Sequence, residues 1–407
     1  MSLPLYDVVR QAPPTLTSDS HHGLWFDRFF DQFDGKNPRE DKRWQVLEPH
    51  KDKDKAKKEP QGRAHWLTSN FNKEVGDKTL GDYAAKQVDL VEKYLQGQCL
   101  TFKASWHFVT GMGNPHPVEN GFAWHPTLGV PYLTGAAVKG IIRAYIDNYP
   151  YLEPNEPLKK ELLLNWFGST SKQPNDKDYQ AQGGTLIFFD ALPTQPVTLG
   201  VDIMTPHMGD WYADGAKAQK VGTPDAVPAD WHDPVPVTFL VAKEITLLFS
   251  FALRPTAPPQ DKAALKLDDV AYVLEQALQY AGAGAKTATG YGSFATAPEV
   301  LTALEKTLAR QQAEIQAKRE ADVQKAQKEA QLAALSPLEQ ELEQLTHISE
   351  WINALESKRW QGDQLKEAAI AIKQRMQTKG KWLEQTKAKK PEKDKIYQAT
   401  LKVKKFL

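Results

Sequence analysis

From Tyr280 to Phe294 the chain runs Tyr-Ala-Gly-Ala-Gly-Ala-Lys-Thr-Ala-Thr-Gly-Tyr-Gly-Ser-Phe, with glycine at 282, 284, 290 and 292. Such a stretch cannot sit inside a helix or strand. Glycine reaches positive φ and lets a second chain or a ligand come close, so the pattern predicts a contact loop. The segment before it, 266–281, has helical spacing and the segment after it reads as a short strand. Lys286 supplies a charge, Thr287 a hydroxyl and Tyr291 an aromatic face, a set that suits a phosphodiester with a base beside it. The same residues also suit a plain helix–strand connector.

Two nucleotide motifs are excluded here. A phosphate-binding P-loop needs glycine before the Lys-Thr pair and again five residues earlier, where this chain has Ala285 and Tyr280. A dinucleotide fingerprint needs a third glycine where Thr287 stands, and it follows a strand rather than a helix.

Upstream, residues 1–20 read as an extended arm and Gly23–Phe30 as a short amphipathic helix. Residues 36–62, with the run Lys51-Asp-Lys-Asp-Lys-Ala-Lys-Lys58, have the composition of a disordered loop. Leu80–Leu95 has helical spacing. Leu100–Phe108 alternates apolar and polar residues, as a half-buried strand does, and places His107 as a packed or rim residue. The glycines and prolines of 111–121 make a loop that brings Asn114 within reach of a ligand. His125 and Thr127 then lead to a helix over 134–148, with Thr134 as N-cap and small residues at 135, 136, 137 and 140 for close packing on a sheet. Lys139 and Arg143 share one face of it. Beside the glycine-rich loop they would line a groove that follows a phosphate backbone, or they are a solvated pair.

Strands are expected at 185–190 and 197–203, then a Pro- and Gly-rich insertion over 205–236. Val237–Leu253 reads as a hairpin turning near Lys243–Glu244. With helix 266–281 and the last strand, the order is that of an α+β, ferredoxin-like (RRM-like) unit with insertions. No segment carries the aromatic pattern of a standard RNA-recognition sheet, so helices are expected to cover the sheet. From 299 the chain turns Ala-, Glu-, Gln- and Lys-rich: one long polar helix to 335, then a helix opened by Ser336-Pro337 with Glu339 closing a capping box. Residues 337–407 suggest a small bundle with Trp351, Ile352, Leu355, Trp360, Leu365, Ile370 and Ile372 inside. The division is therefore 1–298 and an all-helical extension, 299–407.

The 407 residues hold 51 Lys and Arg against 51 Asp and Glu, so net charge gives no push toward a polyanion. The distribution does: 351–407 carry 15 Lys and Arg against 6 Asp and Glu, either a second contact surface or a solvated helical face. The single cysteine, Cys99, excludes an internal disulfide and a cysteine-cluster metal site. No membrane span or leader is read, and the expected location is the cytoplasm.

Taken together, Gly282–Phe294 resembles the glycine-rich signature of RAMP proteins, the RNA-binding subunits of CRISPR effector complexes. Gly129-Val-Pro-Tyr-Leu-Thr-Gly-Ala-Ala-Val-Lys-Gly-Ile-Ile-Arg143 resembles the start of that family's first helix, with Ala136 where serine is usual and one hydrogen bond thereby in question. Phe189–Ala191, Asp202–His207 and Asp230–Phe239 are similar to the subunit-six family of type III-B (Cmr) complexes. The resemblance spans about residues 20–295. It implies a non-catalytic subunit, without cofactor or metal, that caps the backbone filament and grips the 3′ side of a guide RNA (crRNA) for recognition of target RNA in antiviral defence. It also implies neighbouring subunits one and four and a thumb within 205–236. Lys139, Arg143 and Lys286 would meet phosphates. Glycines 282, 284, 290 and 292 would let RNA approach, and Thr287, Asn114 and His125 complete the expected contact set. Tyr291 would stack on a base or pack beneath the loop.

Two other readings stay open. A metal-independent endoribonuclease that processes guide precursors would need a histidine near the loop, with His125 the candidate. A scaffold would recruit protein through the C-terminal helices. Asp202, His207, Asp210, Asp230, His232 and Asp233 could hold a metal or do acid–base chemistry, but their spacing fits no compact ligand motif, and pinning the insertion is the expected role.

Overall fold

Residues 246–253, Thr-Leu-Leu-Phe-Ser-Phe-Ala-Leu, carry no charge and are buried up to Ala252, as a strand covered on both faces must be. The computed structural model describes residues 14–33, 45–58, 60–148, 156–169, 181–214, 234–263, 265–386 and 390–407. Its strands are β1 (Glu74–Val75), β2 (Gln98–Ala104), β3 (Leu186–Phe188), β4 (Leu192–Pro193), β5 (Val197–Met204), β6 (Val237–Glu244), β7 (Thr246–Leu253) and β8 (Phe294–Thr296).

One sheet has the order β3-β7-β2-β8, with β4 also pairing β7, and every pairing is antiparallel. The helix Gly135–Asn148 connects β2 toward β3, and the helix Leu267–Gln276 connects β7 to β8. This is the ferredoxin-like βαββαβ order, with the first and third strands of the unit at the centre. Opposite residues in the central pair are Leu100 with Phe249 and Phe102 with Leu247. Phe102, Phe249 and Phe251 share one apolar cluster with Val138, Ile142, Val273 and Leu274 of the two helices. Behind the sheet, Ala84 and Val88 of the helix Thr79–Val88 and Val91 of its π-helical continuation meet Cys99 and Leu248. Both faces are thus closed, and bases cannot lie on the sheet. Burial pushes the Cys99 thiol up to about 12, which removes it from chemistry.

A second, three-stranded sheet has the order β1-β5-β6. The run 237–253 therefore does not fold back on itself as a hairpin. β6 and β7 follow one another across Ile245 and pair in different sheets. No glycine, asparagine or aspartate stands at the corner to supply positive φ, so a tight hairpin turn has no residue to make it. The exposed Lys243–Glu244 pair marks the end of β6 rather than a turn.

Around this second sheet an aromatic layer joins the helices His22–Arg28 and Arg63–Phe71 to the loop 111–124. Trp25 stacks on Trp66 at 5.4 Å and Phe26 on His116 at 4.1 Å. The run expected to be disordered contains the short helix Lys53–Lys58, with no buried residue. Residues 1–13, 34–44 and 215–233, with most of the insertion, lie outside the described residues.

The chain divides into residues 1–310 and 311–407. The helix Pro298–Ala334 crosses that division, and its first turns belong to the first unit, where Leu301 and Leu304 pack on the Val88–Leu248 cluster. In the second unit Ser336 and Glu339 form the expected capping box. The helices Pro337–Gln344, Ile348–Glu356, Asp363–Thr378 and Lys395–Lys404 enclose Leu342, Trp351, Leu355, Ile372, Met376 and Val403. Ile370, expected inside, is 49% exposed; Ala368 and Ala369 take the inward positions of that turn.

Candidate nucleic-acid interface

The glycine-rich loop is held by the chain that follows β2. Ser105 donates its N–H to the Ser293 carbonyl, Gly292 to His107, and Ala285 to Val109, each at 2.8 Å. On its other side this segment exchanges two hydrogen bonds with β6, Phe108 with Ala242, at 2.9 and 2.8 Å. Within the loop Ala283 donates to the Gly292 carbonyl at 2.8 Å. The bareness of the loop is used here. A Cβ at Gly292 would enter the Ala283 carbonyl, one at Gly284 the Val109 carbonyl, and one at Gly282 would press on Gly292 and Thr287. All three have positive φ. The space these glycines leave is filled by the protein's own backbone, whereas Gly290, at φ +94°, faces open space.

Lys286 adopts a left-handed conformation, φ +60°, uncommon for a residue with a side chain. Its ammonium sits 5.4 Å from the centre of the Phe239 ring and 6.0 Å from that of Tyr291. Tyr291 is buried beneath the loop and donates its hydroxyl to Asp202 Oδ2 at 2.7 Å. Burial, then the adjacent carboxylate, pushes that hydroxyl up to about 12, so it is a neutral donor and not a base. Burial alone would raise Asp202, but the bonds from Tyr291 and from the Ile203 N–H, with His107 nearby, outweigh it and hold the carboxyl below its ordinary range. His107 Nδ1 stands 3.5 Å from Asp202 Oδ2. The histidine at the loop is therefore His107, not His125.

His125 instead fixes its own turn: its Nδ1 accepts from the Thr127 and Leu128 N–H groups, at 3.2 and 3.1 Å. Burial lowers its pKa. Asn114 is exposed in the loop 111–121. The helix Gly135–Asn148 starts as expected, with Thr134 Oγ1 accepting from Ala137 N–H at 3.1 Å. Asp190 Oδ1 accepts from Gly135 N–H at 2.7 Å, a second cap, 55 residues away along the chain, that no local pattern signals. Gly135 lies against the Phe188 carbonyl, which is why that helix can sit close to the sheet.

Between that helix and the loop runs a groove of about 520 Å³, lined among others by Ile141, Tyr145, Asn148, Tyr280 and Thr287. Neither Lys139 nor Arg143 lines it. Lys139 donates to the Phe167 carbonyl at 3.0 Å, capping the C-terminal end of the helix Glu156–Phe167, and Arg143 pairs with Asp147 one turn on at 3.8 Å. With those two cations outside its lining, the groove is bordered by aromatic, hydroxyl, amide and small apolar groups instead of charge. Among the described residues no group of three His, Cys, Asp or Glu side chains gathers as a metal site. Asp230, His232 and Asp233, and the side chain of Asp210, lie outside the described residues.

Trp106 was not singled out in the sequence, yet it is 48% exposed beside Tyr291 and His107. The alternation of 100–108 assigns it inward. β2 ends at Ala104, a bend at 105–106 breaks the phase, and Phe108 is buried while Trp106 turns out.

A ferredoxin-like unit whose last helix leads through a glycine-rich loop into the edge strand defines a class, and residues 100–295 match the RAMP superfamily. Over that stretch the chain resembles the RAMP superfamily. Within the class it resembles Cmr6: it is 29% identical over 239 residues to the CRISPR system Cmr subunit Cmr6 of Pyrococcus furiosus, an alignment covering 47% of this chain and 65% of that protein, just under two-thirds of its length. Among solved structures, a type III-B Cmr-beta complex bound to cognate target RNA aligns with a TM-score of 0.39 and 21% identity, over 57% of this chain and 69% of the matched one. The crystal structure of Cmr6 from Pyrococcus furiosus aligns with a TM-score of 0.27 and 23% identity, over 49% of this chain and 98% of that one. None of the described helices is long and apolar enough to cross a membrane.

Proposed function

We propose that this chain is a non-catalytic RNA-binding subunit of a type III-B CRISPR effector complex in the cytoplasm. It caps the backbone filament beside subunits one and four and grips the 3′ side of the guide RNA while target RNA is recognised. The observation that carries this reading is the glycine-rich loop pinned onto Ser105–Val109 inside the RAMP domain of a chain that resembles Cmr6. Loop and strand form one hydrogen-bonded block, so whatever the loop presents is presented without an ordering cost at binding. Lys286, Thr287 and Gly290 stand on its outer turn, with Asn114 and Arg143 as further contacts. Lys139 retains donors beyond the one given to Phe167. Gly282, Gly284 and Gly292 shape the loop; Gly284 is exposed to an approaching strand, whereas the N–H and carbonyl of the buried Gly292 are taken by His107 and Ala283. Tyr291 supports from beneath.

The test is binding of labelled guide RNA across a salt series, with RNA integrity followed with and without Mg²⁺. On a single strand each phosphate contact removed flattens the log–log salt slope by about 0.7. Arg143→Ala/Lys286→Ala should flatten the slope and leave the RNA intact. Absence of RNA affinity even with the partner subunits present would end this reading. The endoribonuclease reading has one specific support, the proximity of His107 to Asp202 and Tyr291 at the loop. Cleavage in the absence of Mg²⁺, abolished by His107→Ala, would install it instead.

A further inference from the structure

We infer that Trp106 is a stacking platform for one unpaired base of the bound RNA. The inference rests on the RNA-binding reading above and names a contact within it. Along the two paired segments, 105–109 and 283–293, Phe108, Val109 and Tyr291 are buried, and Trp106 is the large apolar side chain left exposed. Nothing apolar in its own segment needs it there: the bend at 105–106 turns it outward while the core closes over Phe108.

Its plane is set from behind. His107 stacks on it with ring centres 4.7 Å apart and planes 15° apart, and Tyr291 lies against it at 4.7 Å and 42°. Tyr291 is itself fixed by its bond to Asp202, and the backbone of 105–109 is hydrogen-bonded on both edges. An exposed indole on so constrained a support loses little freedom when a flat partner stacks on it. Base–aromatic stacking needs that arrangement and tolerates any base, since every base offers a π-face.

The surroundings favour a nucleotide over a protein surface. The Lys286 ammonium lies against the same Tyr291 ring, and the exposed Thr289 and Gly290 stand next in the chain. One aromatic face, one cation and a bare, hydroxyl-bearing turn match a base and its flanking phosphate. An apolar protein partner would be expected to find further exposed apolar side chains on these segments.

The experiment compares the full chain with Trp106→Ala, Trp106→Leu and Trp106→Phe in the same salt series, using labelled single-stranded guide RNA and, in parallel, assembly with the partner subunits. Stacking on single strands is worth ~1–3 kcal/mol per base, so Trp106→Ala should weaken binding about 5- to 150-fold. Trp106→Leu should behave like Ala, because it keeps bulk without a π-face, and Trp106→Phe should stay within a few-fold of wild type. The salt slope should not change, since stacking releases no counterion. Equal binding by wild type and Trp106→Ala would overturn the inference while leaving the RNA-binding reading intact. Leucine matching phenylalanine would overturn it too, as would a flattened slope, which would point to a displaced Lys286. Intact RNA binding with lost assembly would reassign Trp106 to a protein contact. A wild type that binds no RNA would remove the inference together with its parent reading.

Discussion

Gly292 and Gly290 sit two residues apart with the same sign of φ, and they answer differently to a methyl group. Both conformations are left-handed, at +67° and +94°, which costs a residue with Cβ roughly 1–2 kcal/mol. At Gly290 the cost ends there, since nothing lies within 4 Å of the added atom. At Gly292 the methyl group would also enter the Ala283 carbonyl and break the pair of segments that fixes the loop. Gly290→Ala should therefore lower stability by about 1 kcal/mol and leave RNA binding near wild type, while Gly292→Ala should cost clearly more and abolish binding. Urea unfolding and RNA titration check both; equal costs would show that the loop is not clamped as described. That these glycines form a loop was legible from their density. Why Gly284 and Gly292 must be glycine was not, because the atoms they avoid belong to Val109 and Ala283, and no local pattern announces those contacts. Trp106 escaped notice for a related reason: alternation assumes an unbroken strand, and the bend at 105–106 is set by the loop that pairs there.

At the scale of elements, the sequence carries local signals and not the identity of distant partners. The helix Gly135–Asn148 and the capping box at Ser336 announce themselves within a few residues. The passage from β6 to β7 does not, since choosing between a hairpin and two sheets depends on β2 and β5 elsewhere in the chain. The helix His22–Arg28 shows what such distant packing adds. His22 is 3% exposed, and burial, then the charge of Lys73, holds it at about 4. His116, stacked on Phe26, is lowered by burial as well; its Nδ1 accepts from Val118 N–H and its Nε2 donates to the Phe26 carbonyl. Both hold a proton less readily when folded than when unfolded, where they take one near pH 6.5. A folded pKa below the unfolded one stabilises above pH 6.5, and that stabilisation is lost as pH falls toward 4. Asp27 on the same helix, raised by burial, works in the opposite direction and blunts the effect without reversing two histidines. The urea midpoint should thus fall between pH 6.5 and 4, less steeply in His22→Leu. A flat profile over that range would mean the aromatic layer opens before either ring is protonated.

For the whole molecule, the boundary depends on which signal is followed. The change to an Ala-, Glu-, Gln- and Lys-rich composition at 299 sets a division at 298, and proline at the first position of the helix Pro298–Ala334 marks its local start. Packing draws the division at Arg310, because Leu304, 5% exposed, and Leu301 close the apolar cluster formed by Val88, Val91, Cys99 and Leu248 behind the main sheet. Helical polarity was visible in the sequence; the two leucines that belong to the other unit were not, since they look like any apolar pair on a polar helix. The two views predict different outcomes for truncation. Residues 1–310 should unfold at nearly the midpoint shown by the same unit in the full chain and should keep RNA affinity. Residues 1–298 should be less stable by several kcal/mol, since losing one buried leucine alone costs about 2–5. Equal stability of the two truncations would show that the first turns of the long helix only rest on the sheet. If residues 1–310 bind RNA as the full chain does but no longer join the partner subunits, the helices beyond Arg310 are the assembly element, and their lysine-rich surface serves protein contacts rather than the guide.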